Sequence, residues 1–575
     1  MKESGKLIKA GVWEVIPVEK DEVIRKYPEA TFSRLFEILG LKNSELSNPV
    51  YKARIVVQGS NVTDASGEYV YFADTTSSPT NMCAIRSIVC YGEVSGGGSS
   101  QADAEAAYIQ PLLPDDIHFY LHIPHTIMTP EMKQSIVSMR NPVFRLRRPL
   151  YGWSRSGNIW EKHLAETLMS LDQQTECNML QTLNKVSKDG SWTPIESWPN
   201  TFWKRNQKGQ VIMLTVYVDD FVMSGPDHQK EWESIRKVVI TSEPTIVDRV
   251  LGVHYTFDRS QAETRVIMDM KDYAKQALDM YHAVKDAPPL RNNVHYPWYE
   301  PTMTEIQELS SQPGIFQHCS ASLLMKLLYA GRMVRLDICY AINSLSRFVT
   351  KWNKLCDKQL THLFSYLQQT ANTSLHGHVN KRDCNVIELH AYPDADLAGS
   401  YDTTKATSGG FIHINGPNTF FPLDWYSKRQ TATSHSTTEA ELISASKMLR
   451  ESLIPLIELW SVMMDRVVKG VIHEDNMSTI TVIEAGYSPQ LRHLQKHHRI
   501  SLGIVHELCK QDDIVVIHTD SASQKGDILT KGLARPKHEP ACKVVGLALV
   551  NQGIEYMFPF VLWYHVNCYL IELPD

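Results

Sequence analysis

The stretch from Val211 to Gly225, VIMLTVYVDDFVMSG, restricts the possible folds more than any other part of the chain. An apolar, β-rich run (Val211, Ile212, Met213, Leu214, Val216) leads through Tyr217 and Val218 to two adjacent carboxylates, Asp219 and Asp220. A second apolar run, Phe221, Val222 and Met223, follows them. This pattern predicts two short strands joined by a tight turn. Like charges held side by side between buried flanks repel one another unless a cation lies between them, which suits a divalent metal. An ordinary polar hairpin turn fits the stretch equally well, because Asp is a common turn residue.

With 575 residues the chain exceeds one ordinary core, and roughly three to four domains are expected. A composition of 43% apolar and 21% charged residues is that of a soluble globular protein. The formal net charge of −6 supplies no global attraction for nucleic acid, so any such binding must come from local basic patches. The ten cysteines are scattered, without CxxC pairs or zinc spacing, which fits free thiols in a reducing compartment. The start, MKESGKLIKAGVWEV, lacks the apolar core of a signal peptide. The lipid-like stretch Gly553 to Leu573 carries Glu555, Pro559, His565 and Asn567. A bilayer span of about 20 residues would rarely hold them, so it reads as a packed tail. The expectation is an intracellular protein, cytoplasmic or nuclear, neither secreted nor membrane-bound.

Along the chain, Val50 to Val57 reads as a strand with Lys52 and Arg54 on one face. Two such cations suit a triphosphate, or simply a solvated strand face. A helix is expected from Met82 to Tyr91, followed by the Gly/Ser-rich Ser95 to Ser100, which reads as flexible and not as a phosphate loop. Asp103 comes next, with Tyr108 five residues on. Residues 117–123 read as a strand, and 143–171 as strand, turn and helix. There Arg145, Arg147 and Arg148 lie beside Tyr151, Trp153 and Trp160. Cations interleaved with aromatics suit a nucleic-acid platform; basic residues at a helix start are the plainer alternative. Residues 228–240 are expected to be helical, and VLGVHYTFD with TRVIMDM to form a hairpin.

The last third brings its own acids. Residues 386–414 read as two strands, with Asp394 and Asp396 where the first ends. Residues 434–460 form a long helix with Glu441 in its first turns, and 467–483 a strand and helix with Asp475 at the junction. Residues 513–520 are a strand, and Asp527 starts a short closing helix. Strand ends and helix starts gathered at one edge of a mixed sheet can bring four acids together.

In order, KARIVVQG, QADAEAAYIQ, RRPLYGWSRSGNIW and YVDD resemble the polymerase segment of copia-type LTR retrotransposon Pol polyproteins. LLYAGRMVRLDICYAINSLSRFVTKWN (327–353) is similar to that family's helical connection. PDADLAG, STTEAE, EDN and GDILTK resemble its ribonuclease H patterns SDADWAG, SSTEAE, CDN and ADILTK. The resemblance implies an α+β multidomain fold: a right-hand-like polymerase (fingers, palm, thumb; 1–285), a helical connection (286–385), a ribonuclease H-like α/β domain (386–535) and a tail (536–575).

It further implies an RNA-directed DNA polymerase with ribonuclease H activity. Asp103, Asp219 and Asp220 would form one metal-binding catalytic set, and Asp394, Glu441, Asp475 and Asp527 the other. Each would hold two Mg²⁺ or Mn²⁺ ions, hard cations that prefer oxygen ligands. Glu439 and Asp396 match no ligand position. Nucleotide contacts would come from Lys52, Arg54, Tyr108 as a gate against the 2′-OH, Tyr151 and Gly152. Nucleic-acid contacts would come from Arg145, Arg147 and Arg148, from Lys428 and Arg429, and from RHLQKHHR through Arg492, Lys496 and His497. The implied partners are an RNA template, a DNA primer, an RNA–DNA hybrid and dNTPs, with capsid and integrase encoded outside this chain, which carries no protease motif, zinc knuckle or integrase triad.

Two departures stand out. SGGGSSQ replaces the apolar strand that leads into the first aspartate, predicting a looser hold on Asp103. WSRSGNIW stands for LKQAPRAW after Tyr151. A catalytically decayed remnant that keeps the fold and nucleic-acid binding is the alternative reading.

Overall fold

Strand residues buried on both faces need a layer on each side, and Val211–Tyr217 shows how the chain meets that need. Val211 and Met213 face the helix Met82–Val94, all of whose residues are buried. Ile212, Leu214 and Val216 face Trp160, Leu164 and Leu168 of the helix Ser156–Ser170. Each large side chain so buried contributes about 1.5–3 kcal/mol. The computed structural model describes residues 2–42, 50–72, 77, 79–171, 191–397, 399 and 403–548. The tail reading of Gly553 to Leu573 lies outside them.

Three mixed or antiparallel sheets organise the described residues, in an α+β arrangement. The first has the order Val18–Glu19, Pro142–Arg145, Phe119–His122, Thr31–Lys42, Val50–Val57. The second runs Thr245–Ile246, Ser99–Asp103, Asp220–Ser224, Val211–Tyr217, Trp198–Arg205, Thr193–Ile195. The third, of ten strands, takes Arg249–Val250, Val253–Asp258 and Thr264–Asp269, then Ser374–Val379, then Thr419–Arg429, Thr407–Gly416, Glu388–Asp396, Gly470–Glu474 and Ile514–His518. Leu547–Ala548 adds to Ser374–Val379. This sheet therefore runs across the boundaries expected near 285 and 385. Helices Ser320–Met333, Cys339–Ser346 and Lys354–Gln369 build a separate core around Phe316, Leu324 and Phe364.

Buried Arg86 ties the helix Met82–Val94 to segments far along the chain. Its guanidinium donates to the carbonyls of Leu423, Arg332 and Met333 at 2.7–2.8 Å and stacks 3.9 Å over the Trp425 ring. Desolvating a cation is costly, and three carbonyls plus a ring face offset that cost.

The Gly/Ser segment is not the flexible link that composition predicts. Ser99–Asp103 is an inner strand of the second sheet, and Ser99 and Ser100 are buried. The Trp232 indole donates to Ser100 Oγ at 2.8 Å. A Cβ on Gly97 would stand 2.2 Å from the backbone carbon and oxygen of Gly225. The glycines are there because backbone meets backbone, and Asp103 is held at the end of a paired strand. Trp153 and Trp160 are likewise core residues, 3% and 1% exposed, and so are no stacking surface for bases. Among the described residues no helix is long and apolar enough to cross a membrane, and the described cysteines are free thiols.

Candidate carboxylate sites

The first cluster grows from the hairpin turn. Tyr217 pairs with Asp220, leaving Val218 and Asp219 as the two turn residues. Val218 takes a left-handed backbone, φ +59°, which is costly for a β-branched residue. The Trp160 indole holds it there by donating to the Val218 carbonyl at 2.7 Å. On the other side Asp220 lies directly opposite Asp103, and the Ala104 N–H donates to the Asp219 carbonyl at 2.7 Å. The backbone N–H of Asp103 donates to Ser242 Oγ at 2.9 Å. Directly opposed residues of an antiparallel pair share one face, so Asp103 and Asp220 project together beside Asp219. Burial pushes the Asp220 carboxyl up to about 7, with added repulsion from Asp219 and Asp103.

Tyr108 and Tyr151 stand next to this turn, their ring centroids 4.9 Å apart. Both phenols are raised by burial first, with Asp219 adding to each. The Arg54 guanidinium lies 5.4 Å over the Tyr151 ring. Gly152, at φ +88°, passes so close to the strand Val50–Val57 that a Cβ would sit 2.1 Å from the Val57 carbonyl oxygen. Lys52 and Arg54 are exposed on that strand. The three arginines beyond it engage protein groups. Arg145 donates to the Asp115 carbonyl at 2.9 Å, and Arg147 lies 3.8 Å from Glu14 and 3.6 Å from Asp115. Arg148 donates to the carbonyls of Ile109 and Gln110, bracing the turn that carries Tyr108.

The second cluster lies in a cleft of about 670 Å³ lined by Asp394, Asp396, Glu441, Asp475, Asn476 and Lys531. Asp394 comes from the strand Glu388–Asp396 and Glu441 from the helix Thr437–Met448, which Ser436 caps by accepting from the Glu439 N–H at 3.1 Å. Asp475 follows the strand Gly470–Glu474. Each offers an oxygen within 4.8 Å of the other two. Asp527, heading the short helix Asp527–Thr530, falls outside that trio and joins it through Lys531, whose ammonium lies 2.5 Å from Asp527 and 3.4 Å from Asp394. The Thr530 hydroxyl donates to Asp394.

Burial, with Asp394, Glu474 and Asp475 adding repulsion, raises the Glu441 carboxyl well above the usual range. Asp394 is raised by burial too, partly offset by Lys531. Glu441 Oε2 is buried without a hydrogen-bond partner among the described residues. An orphaned acid oxygen among all-oxygen donors fits a hard divalent cation.

Of the flanking cations, Lys428 is exposed at the end of its strand beside the half-buried Arg429, and Arg492, Lys496 and His497 form an exposed face. That face is anchored from beneath: His493 and His498 reach Glu439 Oε1 at 3.0 and 3.1 Å. Sequence reasoning set Glu439 aside, and its role is this anchor. It also missed Glu474, fully buried with Oε2 unpartnered and held up at about 8 by burial, Asp475 and Asp394. The available signal was EDN standing where CDN was expected.

The described residues thus combine an α+β fold with two separate acidic clusters. No family model matches the chain. It is 24% identical over 546 residues to the retrovirus-related Pol polyprotein from transposon RE1 of Arabidopsis thaliana, covering 94% of this chain and 33% of the relative. It is 23% identical over 509 residues to that from transposon TNT 1-94 of Nicotiana tabacum, covering 86% and 34%. Its homologues are thus Pol polyproteins of copia-type plant transposons, and it spans about a third of their length. Among solved structures, foamy viral protease-reverse transcriptase in complex with double-stranded DNA is similar at 13% identity and a TM-score of 0.41, covering 90% of this chain and 68% of that one. The same enzyme with an RNA/DNA hybrid gives 13%, 0.42, 87% and 52%.

Proposed function

We propose that the chain is an RNA-directed DNA polymerase with ribonuclease H activity of a copia-type retrotransposon. The observation that carries the reading is the gathering of sequence-distant acids into two clusters: Asp103 opposite Asp220 at the Val218–Asp219 turn, and Asp394 with Glu441 and Asp475. Asp103, Asp219 and Asp220 would hold two Mg²⁺ or Mn²⁺ ions, and Asp394, Glu441, Asp475 and Asp527 two more. When bound, such ions supply positive charge that activates an attacking oxygen and offsets the charge on a transferred phosphoryl group.

The chain's own residues do the rest. Lys52 and Arg54 face an incoming triphosphate, and Arg54 is steadied over Tyr151. Gly152 lets the backbone approach a templating pair closely. Tyr108, packed on Tyr151, fills the space a 2′-OH would need, so dNTPs are selected over ribonucleotides. In the second cluster, Lys428, Arg429, Arg492, Lys496 and His497 contact the phosphates of an RNA–DNA hybrid, and its binding weakens steeply with added salt. RNA template, DNA primer, and capsid and integrase encoded elsewhere complete the set of partners.

The decayed-remnant alternative drew on a loose SGGGSSQ segment, and the second half of that segment, Ser99 to Gln101, begins an inner strand in which Ser99 and Ser100 are buried. The test is primer extension on an RNA template and cleavage of a labelled hybrid, both with Mg²⁺. Asp219→Asn is expected to abolish extension and spare cleavage, and Asp394→Asn the reverse. Wild-type protein inactive in both assays would refute the reading.

A further inference from the structure

The second cluster is neutralised unevenly. Asp394 and Asp527 share the Lys531 ammonium, at 3.4 and 2.5 Å. The other oxygen of Asp394 accepts from Thr530. Beside Asp394, Glu441 keeps a buried oxygen without a hydrogen-bond partner among the described residues, and Asp475 Oδ2 accepts from a neutral hydroxyl, that of Ser521, at 2.7 Å. The base of Lys531 is fixed: it follows the helix Asp527–Thr530, and its neighbour Gly532 lies so close beneath Trp298 that a Cβ would stand 2.1 Å from the indole ring. Only the side chain has freedom to leave.

We propose that Lys531 is a resident counter-cation that competes with the metal ion Asp394 and Asp527 would share, so that the site loads in two steps. The first ion would enter between Asp394, Glu441 and Asp475, whose oxygens converge and where no cation lies within ion-pair distance of Glu441 or Asp475 among the described residues. The second must displace the Lys531 ammonium from between Asp394 and Asp527. The ammonium and a divalent ion would draw on the same oxygens of Asp394 and Asp527, so each is bound at the expense of the other. The proposal rests on reading these four acids as metal ligands.

The test is Mn²⁺ binding to the full chain, followed by electron paramagnetic resonance. An Asp219→Asn/Asp220→Asn background silences the first cluster. Free Mn²⁺ gives the isotherm, and broadening by spin coupling reports a second ion beside the first. The background protein is expected to bind two ions with affinities at least about tenfold apart, coupling appearing only in the weaker phase. Lys531→Met should tighten the second ion about tenfold or more, whereas Lys531→Arg, which keeps the cation, should preserve the gap. Equal second-ion affinity in Lys531→Met and the background protein overturns the proposal, and so does weaker binding in Lys531→Met. If Asp394→Asn leaves the whole isotherm unchanged, the metal-ligand reading itself fails. Melting curves for both variants establish that they fold.

Discussion

Replacing Glu474 by Gln should stabilise the metal-free protein at alkaline pH and slightly destabilise it in acid. Glu474 is fully buried, one oxygen lacks a partner, and burial with Asp475 and Asp394 moves its carboxyl from 4.5 to about 8. A raised acid favours its neutral form in the folded state. Its contribution is therefore intact below pH 4.5 and is lost progressively as pH rises toward 8. The full displacement corresponds to about 5 kcal/mol. The amide introduced by Gln leaves one N–H unpaired at a cost of about 1–2 kcal/mol, so the net gain is about 3 kcal/mol. Calorimetry in EDTA should show the affected transition raised by roughly 6–12 °C at pH 8.5, and slightly lowered at pH 5, where only the cost of the amide remains. Mg²⁺ should shrink the gap, because a cation compensates the same repulsion. A variant no more stable than wild type at pH 8.5, or equally stabilised at pH 5, would refute the electrostatic account.

Three further outcomes are expected. Gly97→Ala forces a Cβ against the Gly225 backbone and should cost about 2–3 kcal/mol, with primer extension lost and hybrid cleavage retained; an unchanged melting curve would contradict the close approach. Val218→Gly removes the left-handed strain at φ +59° and should add about 1 kcal/mol of stability while slowing extension; destabilisation in a urea melt would argue against strain there. Arg86→Met strips three carbonyls of their donor and should cost about 3 kcal/mol or more, with both activities falling together; loss of one alone would mean that Arg86 does not join the two regions.

Asp219 and Asp220 stand out between two apolar runs, and Asp394, Asp475 and Asp527 near strand ends and helix starts, but the full sets with Asp103 and Glu441 came from the resemblance to the copia-type motifs. Such junctions are local, and local pattern suffices to find them. SGGGSSQ was misread for the converse reason. Gly and Ser usually mark flexible backbone, and only the approach of Gly225, more than a hundred residues on, makes small residues obligatory there. Glu474 and Lys531 escaped notice because their importance lies in what each faces across the cleft. Trp153 and Trp160 looked like a stacking surface because a one-dimensional string of aromatics does not reveal which are interior.

Hydrogen-bonded strands from 249–269, 374–379 and 388–518 form one continuous ladder, with Arg86 reaching across to it from the helix Met82–Val94. A protease that trims a precursor polypeptide needs an extended, accessible segment, and a cut between these strands would leave raw edges exposed on both pieces. The segment from residue 386, expressed alone, should clump and precipitate, and should become tractable once the segment from 249 travels with it. On the proposed function, copying and degrading a template would thereby be kept in fixed proportion, one of each per polypeptide.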